Sequence, residues 1–320
     1  MKRIAFIGEC MIELNGKPFG LMKQTYGGDT LNTAVYLSRI SQQKDIQVLY
    51  VTAMGSDTIS RQIVAAWMNE GIDTSLVLED SHHQPGLYII QLNDSGERTF
   101  LYWRNNSAAR YLFKHAEIDH IKAMLNEVDA IYLSGISLAI LPVEDRHLMI
   151  DMLHKLKVVG KTIIFDSNYR VELWHEQEDT RYFYRQILGL TSLALVTFDD
   201  EQALWGNNSL SDVLLNLKML GVSEAVVKTG ADGCIYQDLR TEDAPIVFHT
   251  RKIEHVVDTT AAGDSFNAGY ISGYLFGAPP EVSASRGNKL ASIVIQHQGA
   301  IIPINTTLNV IDSLYNNNPI

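Results

Sequence analysis

The residues best suited to chemistry lie near the C-terminal end of the chain, in residues 257–266. Ala261, Ala262 and Gly263 are small enough to let backbone N–H groups converge on one point, at the positive end of a following helix. Such a place binds an anion without needing a lysine. The residue types predict a strand that ends at Val257, then a tight loop and a helix.

Asp264 in this segment has two interpretations. A carboxylate in the first turn of a helix suits the helix dipole, so an ordinary helix cap would explain it. Beside an anion hole of phosphate size, however, a carboxylate repels the ligand unless it takes a proton from the group that attacks the phosphate. Residue spacing alone leaves both interpretations open.

A second motif lies near the N-terminus, where Gly27 and Gly28 precede apolar residues with helical spacing. One interpretation is a tight turn and a helix cap, for which Asp29 or Thr30 is well suited. The other is close backbone approach to a polar ligand, with the side chains of Asp29 and Asn32 bonded to its hydroxyl groups. Two glycines alone do not decide between them.

Three further polar segments follow apolar runs. Residues 166–170 fit a turn with an aspartate cap, and residues 228–233 fit a plain hairpin. Residues 199–202 include three acidic side chains.

The elements that must position these residues alternate between strands and helices. Strands are predicted at Ile4–Glu9, Val48–Gly55, Ala130–Gly135, Lys161–Asp166, Leu193–Thr197 and Ala225–Gly230. Helices are predicted from Asp57 to Glu70 and from about Glu144 to Val159. This alternation predicts an α/β fold with a doubly wound, mostly parallel sheet flanked by helices, and with ligands at the carboxyl ends of the strands.

One segment breaks the alternation. Gly86–Leu92 and Arg98–Arg104 have strand patterns around a turn at residues 93–96, which predicts a β-hairpin. A hairpin between two strand–helix units cannot extend a parallel sheet, so we expect a separate flap. Its aromatic residues Tyr88 and Tyr102 fit ordinary strand packing as well as a ligand site.

Composition excludes several classes of partner. The 320 residues carry a net charge of −11, which argues against nucleic acid as a partner. Cys10 and Cys234 form neither a disulfide framework nor a metal motif. The charge-free run at residues 290–311 is too polar to span a membrane, and the first residues lack a signal-peptide pattern. We therefore expect a cytoplasmic protein.

The two glycine-containing motifs together resemble a known family. Asp258–Phe266 resembles the second signature of the ribokinase-like (PfkB) carbohydrate kinases, and Gly27–Asn32 resembles the first. They occur in the expected order, more than half the chain apart. The family commonly has glycine at the position of Ala261, and alanine is small enough to keep the loop. The resemblance covers the whole chain and implies one domain, residues 1–320, with a small β-sheet lid formed by about residues 9–27 and 82–105.

The resemblance also implies roles for individual residues. Asp264 would be the catalytic base, with Ala261, Ala262 and Gly263 as the anion hole. The residues implied to bind ATP are Asn168, Lys228, Thr229, Gly230, Asp232, Gly233, Ala261 and Gly263. Those implied to bind the sugar are Gly27, Gly28, Asp29, Asn32, Tyr88, Tyr102, Arg104, Arg170 and Asp264.

Within the family, the sequence is most similar to kinases that transfer the γ-phosphoryl group of ATP to the C6 hydroxyl of 2-keto-3-deoxygluconate. A fructokinase or another sugar kinase of the same family is the alternative. Arg104 and Arg170 favour a sugar acid, because a neutral sugar gives no reason to place two cations at its site. We expect Arg104 to matter less than Arg170, since it lies on a mobile flap. A non-catalytic sugar sensor would not need Asp264, and a nicotinamide dehydrogenase would need a Gly-x-Gly-x-x-Gly motif after the first strand.

The cofactors implied are ATP and Mg²⁺. In some relatives K⁺ lies near the positions of Asp258 and Thr260, and the sequence leaves open whether it does here. The family's Asn-x-x-Glu motif, which helps to hold Mg²⁺ through water, is altered, with Asp199 and Gln202 at its two key places. The expected partners are a small sugar acid and ATP, without nucleic acid or membrane, in a homo-oligomer.

Overall fold

Thirteen strands and twelve α-helices are formed by the residues that this computed structural model describes, which are 1–17, 19–41, 46–92, 98–309 and 311–315. The strands are β1 (Lys2–Ile7), β2 (Met11–Gly16), β3 (Met22–Gly27), β4 (Ile46–Gly55), β5 (Val77–Asp80), β6 (Gly86–Leu92), β7 (Arg98–Trp103), β8 (Ala130–Ser134), β9 (Thr162–Asp166), β10 (Leu193–Thr197), β11 (Glu224–Lys228), β12 (Cys234–Asp238) and β13 (Ile246–Phe248). The helices are α1 (Asp29–Ser41), α2 (Thr58–Asn69), α3 (Ile118–Leu125), α4 (Gly135–Ala139), α5 (Val143–Val158), α6 (Gln177–Leu190), α7 (Phe198–Trp205), α8 (Leu210–Met219), α9 (Ala262–Tyr274), α10 (Pro280–Val294), α11 (Ile304–Leu308) and α12 (Ile311–Tyr315).

The large sheet has nine strands in the order β13-β12-β11-β10-β9-β8-β1-β4-β5. The strands from β11 to β5 are parallel, and β12 and β13 extend one edge in antiparallel pairing. A hydrophobic core lies on each face, so that Ile131 and Leu133 of β8 belong to one core and Tyr132 to the other. Burial on both faces explains why the strands read as continuous apolar runs rather than alternating ones. The predicted doubly wound sheet is confirmed.

Local predictions are mostly confirmed. The side chain of Asp57 caps α2 by accepting the N–H of Ser60 at 2.9 Å. The strand predicted to end at Val257 is wrong. Val256 and Val257 are exposed loop residues, and the N–H of Val257 donates to the carbonyl of Ile295 at 2.8 Å. These two β-branched residues lie beside the C-terminal end of α10, where no neighbouring strand pairs with them in the described part of the chain.

The small sheet has the strand order β3-β2-β6-β7. Two antiparallel hairpins, β2–β3 and β6–β7, are joined by parallel pairing of β2 with β6, with Met11 opposite Gly86. Segments that are far apart in sequence therefore form one sheet. The predicted hairpin turn at residues 93–96 lies outside the described residues.

No helix in the described ranges is both long enough and apolar enough to cross a membrane.

Gly28 is required by close backbone packing, and we expect Gly28→Ala to destabilise the fold. A Cβ atom there would lie 3.2 Å from the carbonyl carbon of Glu9 and well under 3.0 Å from its oxygen. Backbone atoms cannot move aside cheaply, so the free energy of unfolding should fall by about 1–3 kcal/mol. Gly189→Ala in α6 is the control, since its nearest neighbour would be at 3.5 Å. Equal urea midpoints for the two variants would contradict this expectation.

Candidate active site

Asp264 lies in the first turn of α9, beside the carboxyl ends of the large sheet's strands. The residue before the helix, Ala261, has φ 59°, a left-handed conformation that favours glycine. A non-glycine residue in that conformation costs about 1–2 kcal/mol. This is a physical reason for glycine being common at this position in related sequences, and it shows that Ala261 can still form the turn.

The carboxylate of Asp264 is half-buried and oriented by one specific contact. The side-chain amide of Asn32 donates to Asp264 Oδ2 at 2.8 Å. Burial, together with the nearby carboxylates of Asp29 and Asp166, raises the pKa of the Asp264 carboxyl to about 8, although the Asn32 hydrogen bond opposes this. A carboxylate with a pKa near neutrality is a stronger general base than an ordinary aspartate.

A second hydrogen bond joins the start of α1 to the loop after β9. The side-chain amide of Asn168 donates to Asp29 Oδ2 at 2.7 Å. Asn168 has φ 31°, an uncommon value for a residue other than glycine that asparagine tolerates well. The fold thus brings two separate motifs next to Asp264, and Asn168, predicted to bind ATP, contacts a residue predicted to bind the sugar.

Polar atoms converge around Gly27 on the side of the small sheet. The Tyr88 hydroxyl donates to Glu13 and lies 2.8 Å from the point where a Cβ on Gly27 would be. Asn32 Oδ1 lies 3.9 Å from the same point and is buried without a hydrogen-bond partner among the described residues. A ligand hydroxyl group would satisfy that orphaned acceptor. Glu13 is a member of this group that sequence reasoning missed.

The two predicted arginines differ in environment. Arg104 is 7% exposed and forms an ion pair with Glu9, which is 2% exposed. Arg104 is thus held at the base of the small sheet, where Glu9 offsets its charge; that it matters less than Arg170 stays a prediction. The side chain of Arg170 is 52% exposed, with Asp200 at 3.7 Å. Burial raises the pKa of Tyr102, while the charges of Arg104 and Arg170 oppose that shift, which places both guanidinium groups near this ring.

Lys228, at the end of β11, takes part in a buried polar network. Its ammonium group donates to Asp166 Oδ1 at 3.2 Å and to Asn267 Oδ1 at 3.1 Å. The Asn267 amide in turn donates to Asp166 Oδ2 at 2.8 Å and to the Tyr132 hydroxyl at 2.9 Å. Sequence reasoning missed Asn267 and Tyr132, because both lie within apolar runs that look like core.

A cavity of about 450 Å³ opens beside Gly263 and Lys228. Its wall is mainly apolar, with residues from the loop after β11, the segment after β13 and α10. The lining residues are Lys228, Gly230, Ala231, Gly233, Thr250, Arg251, Lys252, Ile253, Val256, Thr259, Ala262, Gly263, Phe266, Asn288, Ala291, Ser292 and Ile295. Its volume and lining suit a purine base. The wall includes four of the residues predicted to bind ATP, but Asn168, Thr229, Asp232 and Ala261 do not line it.

In the acidic segment at the start of α7, the buried residues are not the two that occupy the key places of the predicted motif. Asp199 and Gln202 are exposed, whereas Asp200 is half-buried and Glu201 is fully buried. Both carboxylate oxygens of Glu201 lack a partner among the described residues, and burial raises its pKa to about 8. In the described ranges, no group of three or more His, Cys, Asp or Glu side chains is arranged to hold a metal by itself.

Asp258 and Thr260 form part of the turn before α9. Asp258 Oδ1 accepts the N–H of Thr260 at 2.9 Å, and Oδ2 accepts the N–H of Gly299 at 2.7 Å. The buried carboxylate of Asp258 therefore ties this turn to the segment that follows α10.

The chain belongs to the pfkB family of carbohydrate kinases, whose sequence profile matches residues 1–307. It is 54% identical over 302 residues to the 2-dehydro-3-deoxygluconokinase of Haemophilus influenzae, covering 94% of this chain and 96% of that protein. It is 46% identical over 304 residues to the enzyme of the same name from Escherichia coli K12, covering 94% and 97% of the two chains.

Solved structures share the fold at lower identity. Fructokinase of Xylella fastidiosa with bound ATP has a TM-score of 0.80 at 20% identity, covering 98% of this chain and 97% of that one. An E. coli structure assigned to ribokinase II, in complex with ATP and Mg²⁺, has a TM-score of 0.82 at 19% identity, covering 98% and 99%. The ribokinase-like fold is therefore confirmed.

Proposed function

We propose that this protein transfers the γ-phosphoryl group of ATP to the C6 hydroxyl of 2-keto-3-deoxygluconate, the compound called 2-dehydro-3-deoxygluconate in the names of its relatives. The observation that carries the chemistry is Asp264, oriented by Asn32 at the start of α9, beside a cavity of nucleotide-base size. The names of relatives that are 46% and 54% identical support the choice of substrate.

In the proposed reaction, Asp264 accepts the proton of the C6 hydroxyl as its oxygen attacks the γ-phosphorus. The bond from the γ-phosphorus to the β–γ bridging oxygen breaks, and ADP leaves with that oxygen. The backbone N–H of Gly263, at the positive end of α9, stabilises the charge on the transferring group. The N–H of Ala262, the other helix residue of the predicted anion hole, donates instead to the carbonyl of Thr259 at 3.1 Å. Asn32 keeps the carboxylate of Asp264 in the orientation that this proton transfer requires.

Mg²⁺ fits the acidic end of α7. The orphaned carboxylate oxygens of Glu201, with Asp200 beside them, would hold a hydrated ion through its waters. When bound with ATP, the ion would neutralise charge on the phosphates. Dependence on K⁺ and assembly into a homo-oligomer remain predictions, to be checked by assays in K⁺ and Na⁺ salts and by light scattering.

The recognition of a sugar acid depends on Arg170. Arg104 is buried in an ion pair with Glu9, whereas the guanidinium of Arg170 is half-exposed and its carboxylate partner, Asp200, is 3.7 Å away. Arg170 is therefore the better candidate to meet a substrate carboxylate. Arg104 would then contribute one directed hydrogen bond to the sugar, from an Nε that is buried without a partner in the described structure.

The test is a coupled ADP-release assay with ATP and a panel of sugars and sugar acids. We expect the highest kcat/KM with 2-keto-3-deoxygluconate and a value at least tenfold lower with fructose or ribose. Higher kcat/KM with fructose would make the protein a fructokinase of the same fold. ATP consumption that does not depend on any sugar in the panel would contradict the proposal altogether.

A further inference from the structure

Lys228 crosses the carboxyl end of the large sheet to reach Asp166. Their strands, β11 and β9, are not neighbours, because β10 lies between them. Two strand spacings amount to roughly 10 Å, so the lysine stem must extend over the end of β10. Both side chains are nearly inaccessible to solvent, with 9% and 4% of their surface exposed.

A buried ion pair of this kind is costly unless every donor and acceptor is used. Asn267 satisfies most of the pair, because its oxygen accepts from Lys228 and its nitrogen donates to Asp166. Two of the three ammonium N–H groups of Lys228 are thereby used, and the third has no partner among the described residues. The network fixes the ammonium in position and leaves one donor available.

The position of that ammonium indicates the use of the remaining donor. It lies 3.6 Å from the point where a Cβ on Gly263 would be, and Lys228 also lines the cavity beside the anion hole. Carboxylates lie nearby as well, since Asp264 is the next residue in the chain and Asp29 and Asp166 both act on it electrostatically. A phosphoryl group placed there would meet several negative charges, so a fixed cation is needed close to it.

We propose that Lys228 is a catalytic residue that donates its third N–H to the phosphoryl group during transfer, with Asp166 and Asn267 as the residues that position it. This inference rests on the proposed kinase function. The bonds that form and break are those of the transfer described above, and Lys228 neither gains nor loses a proton. Its ammonium stabilises the negative charge on the equatorial oxygens of the phosphoryl group, which ADP lacks.

Lys228→Met tests the proposal, because methionine keeps the length of the stem and removes the N–H groups. Loss of one such donor typically lowers kcat by about 10²- to 10³-fold, and we expect that loss here. Calorimetric affinity for ADP should change by less than about threefold, since ADP has no γ-phosphoryl group. Lys157→Met is the control, because Lys157 is half-buried and donates to Ser192 rather than to any residue of the site.

A second variant separates catalysis from folding. Lys228→Met leaves Asp166 as a buried, unpaired carboxylate, whereas Lys228→Met with Asp166→Asn removes both charges. We expect the double variant to regain thermal stability but not kcat. Recovery of kcat to within fivefold of the wild type would overturn the proposal and make the pair structural. A loss of ADP affinity as large as the loss of kcat would also overturn it, by making Lys228 a ground-state anchor.

One further readout checks that the charge of Lys228 acts at the site. The charge of Lys228 lowers the pKa of Asp264, so its removal should shift the pH dependence of kcat/KM to higher pH in Lys228→Met. The assays use whichever sugar the wild type phosphorylates best. A wild type that prefers fructose would therefore change the substrate assignment and leave this test intact.

Discussion

Replacement of Asp264 by asparagine is expected to lower kcat by about 10²- to 10⁴-fold, the usual effect of losing a general base. Asparagine keeps the size of the side chain and one oxygen for the Asn32 amide, but it cannot take the proton of the attacking hydroxyl. Sugar binding measured by calorimetry should therefore change little. Asp212→Asn is the control, because Asp212 has the same place in the first turn of α8 and lies outside the site.

The pH profiles of the wild type and of Asp264→Asn check the role of Asp264. Its pKa is raised to about 8, so the basic form grows as pH rises toward and past that value. In the wild type, kcat/KM should rise with pH and level off above about pH 8, and the residual activity of Asp264→Asn should lose this step. Turnover near the wild-type rate in Asp264→Asn would mean that the proton leaves by another route.

Arg170→Lys is expected to raise KM for 2-keto-3-deoxygluconate by about one to two decades while KM for fructose changes much less. The planar guanidinium can hold a carboxylate through two parallel bonds, and the ammonium of lysine cannot reproduce them. A charge-assisted hydrogen bond contributes about 1.5–3 kcal/mol, which corresponds to that change in affinity. The measurement is KM for both sugars in the wild type and the variant.

Arg61→Lys is the matched control, because the side chain of Arg61 is 60% exposed and lies on α2, away from the site. Equal losses for the sugar acid and for fructose in Arg170→Lys would show that Arg170 has a structural role. Arg104 is a poor choice for this experiment, since a change there disturbs a buried partner, Glu9, and should weaken both substrates and the fold together.

The sequence was sufficient to predict the large sheet, because strands buried on both faces give continuous apolar runs such as β8 and β10. It was also sufficient to find Asp264 and the glycine pair, whose local patterns depend on neighbouring residues. The strands at the two edges, β5, β12 and β13, were missed, since they are only 4, 5 and 3 residues long and give no extended apolar run. The opposite error occurred at Val256 and Val257, where β-branched residues led to the prediction of a strand and the structure has a loop.

The partners of site residues could not be predicted from the sequence. Asn267 and Tyr132 become functional neighbours of Lys228 only because α9 packs over β8 and β9, and no local pattern records that contact. In the same way, Arg104, which directly follows β7, pairs with Glu9, which lies just before β2 and is far away in the sequence. Burial and charge compensation are properties of the folded chain. The sequence alone therefore could not show whether Arg104 or Arg170 is the better candidate to bind a carboxylate.

The parallel pairing of β2 with β6 has a consequence for the order of folding. α1, β4, α2 and β5 all lie between these two strands in sequence, so a long loop must close before the pairing stabilises anything. We infer that the small sheet forms after the central strands have assembled. Asp264 belongs to a helix near the end of the chain, which leaves the ribosome later still. The small sheet and α9, which form the two sides of the site, are thus completed last. We therefore expect that an incompletely folded chain does not consume ATP.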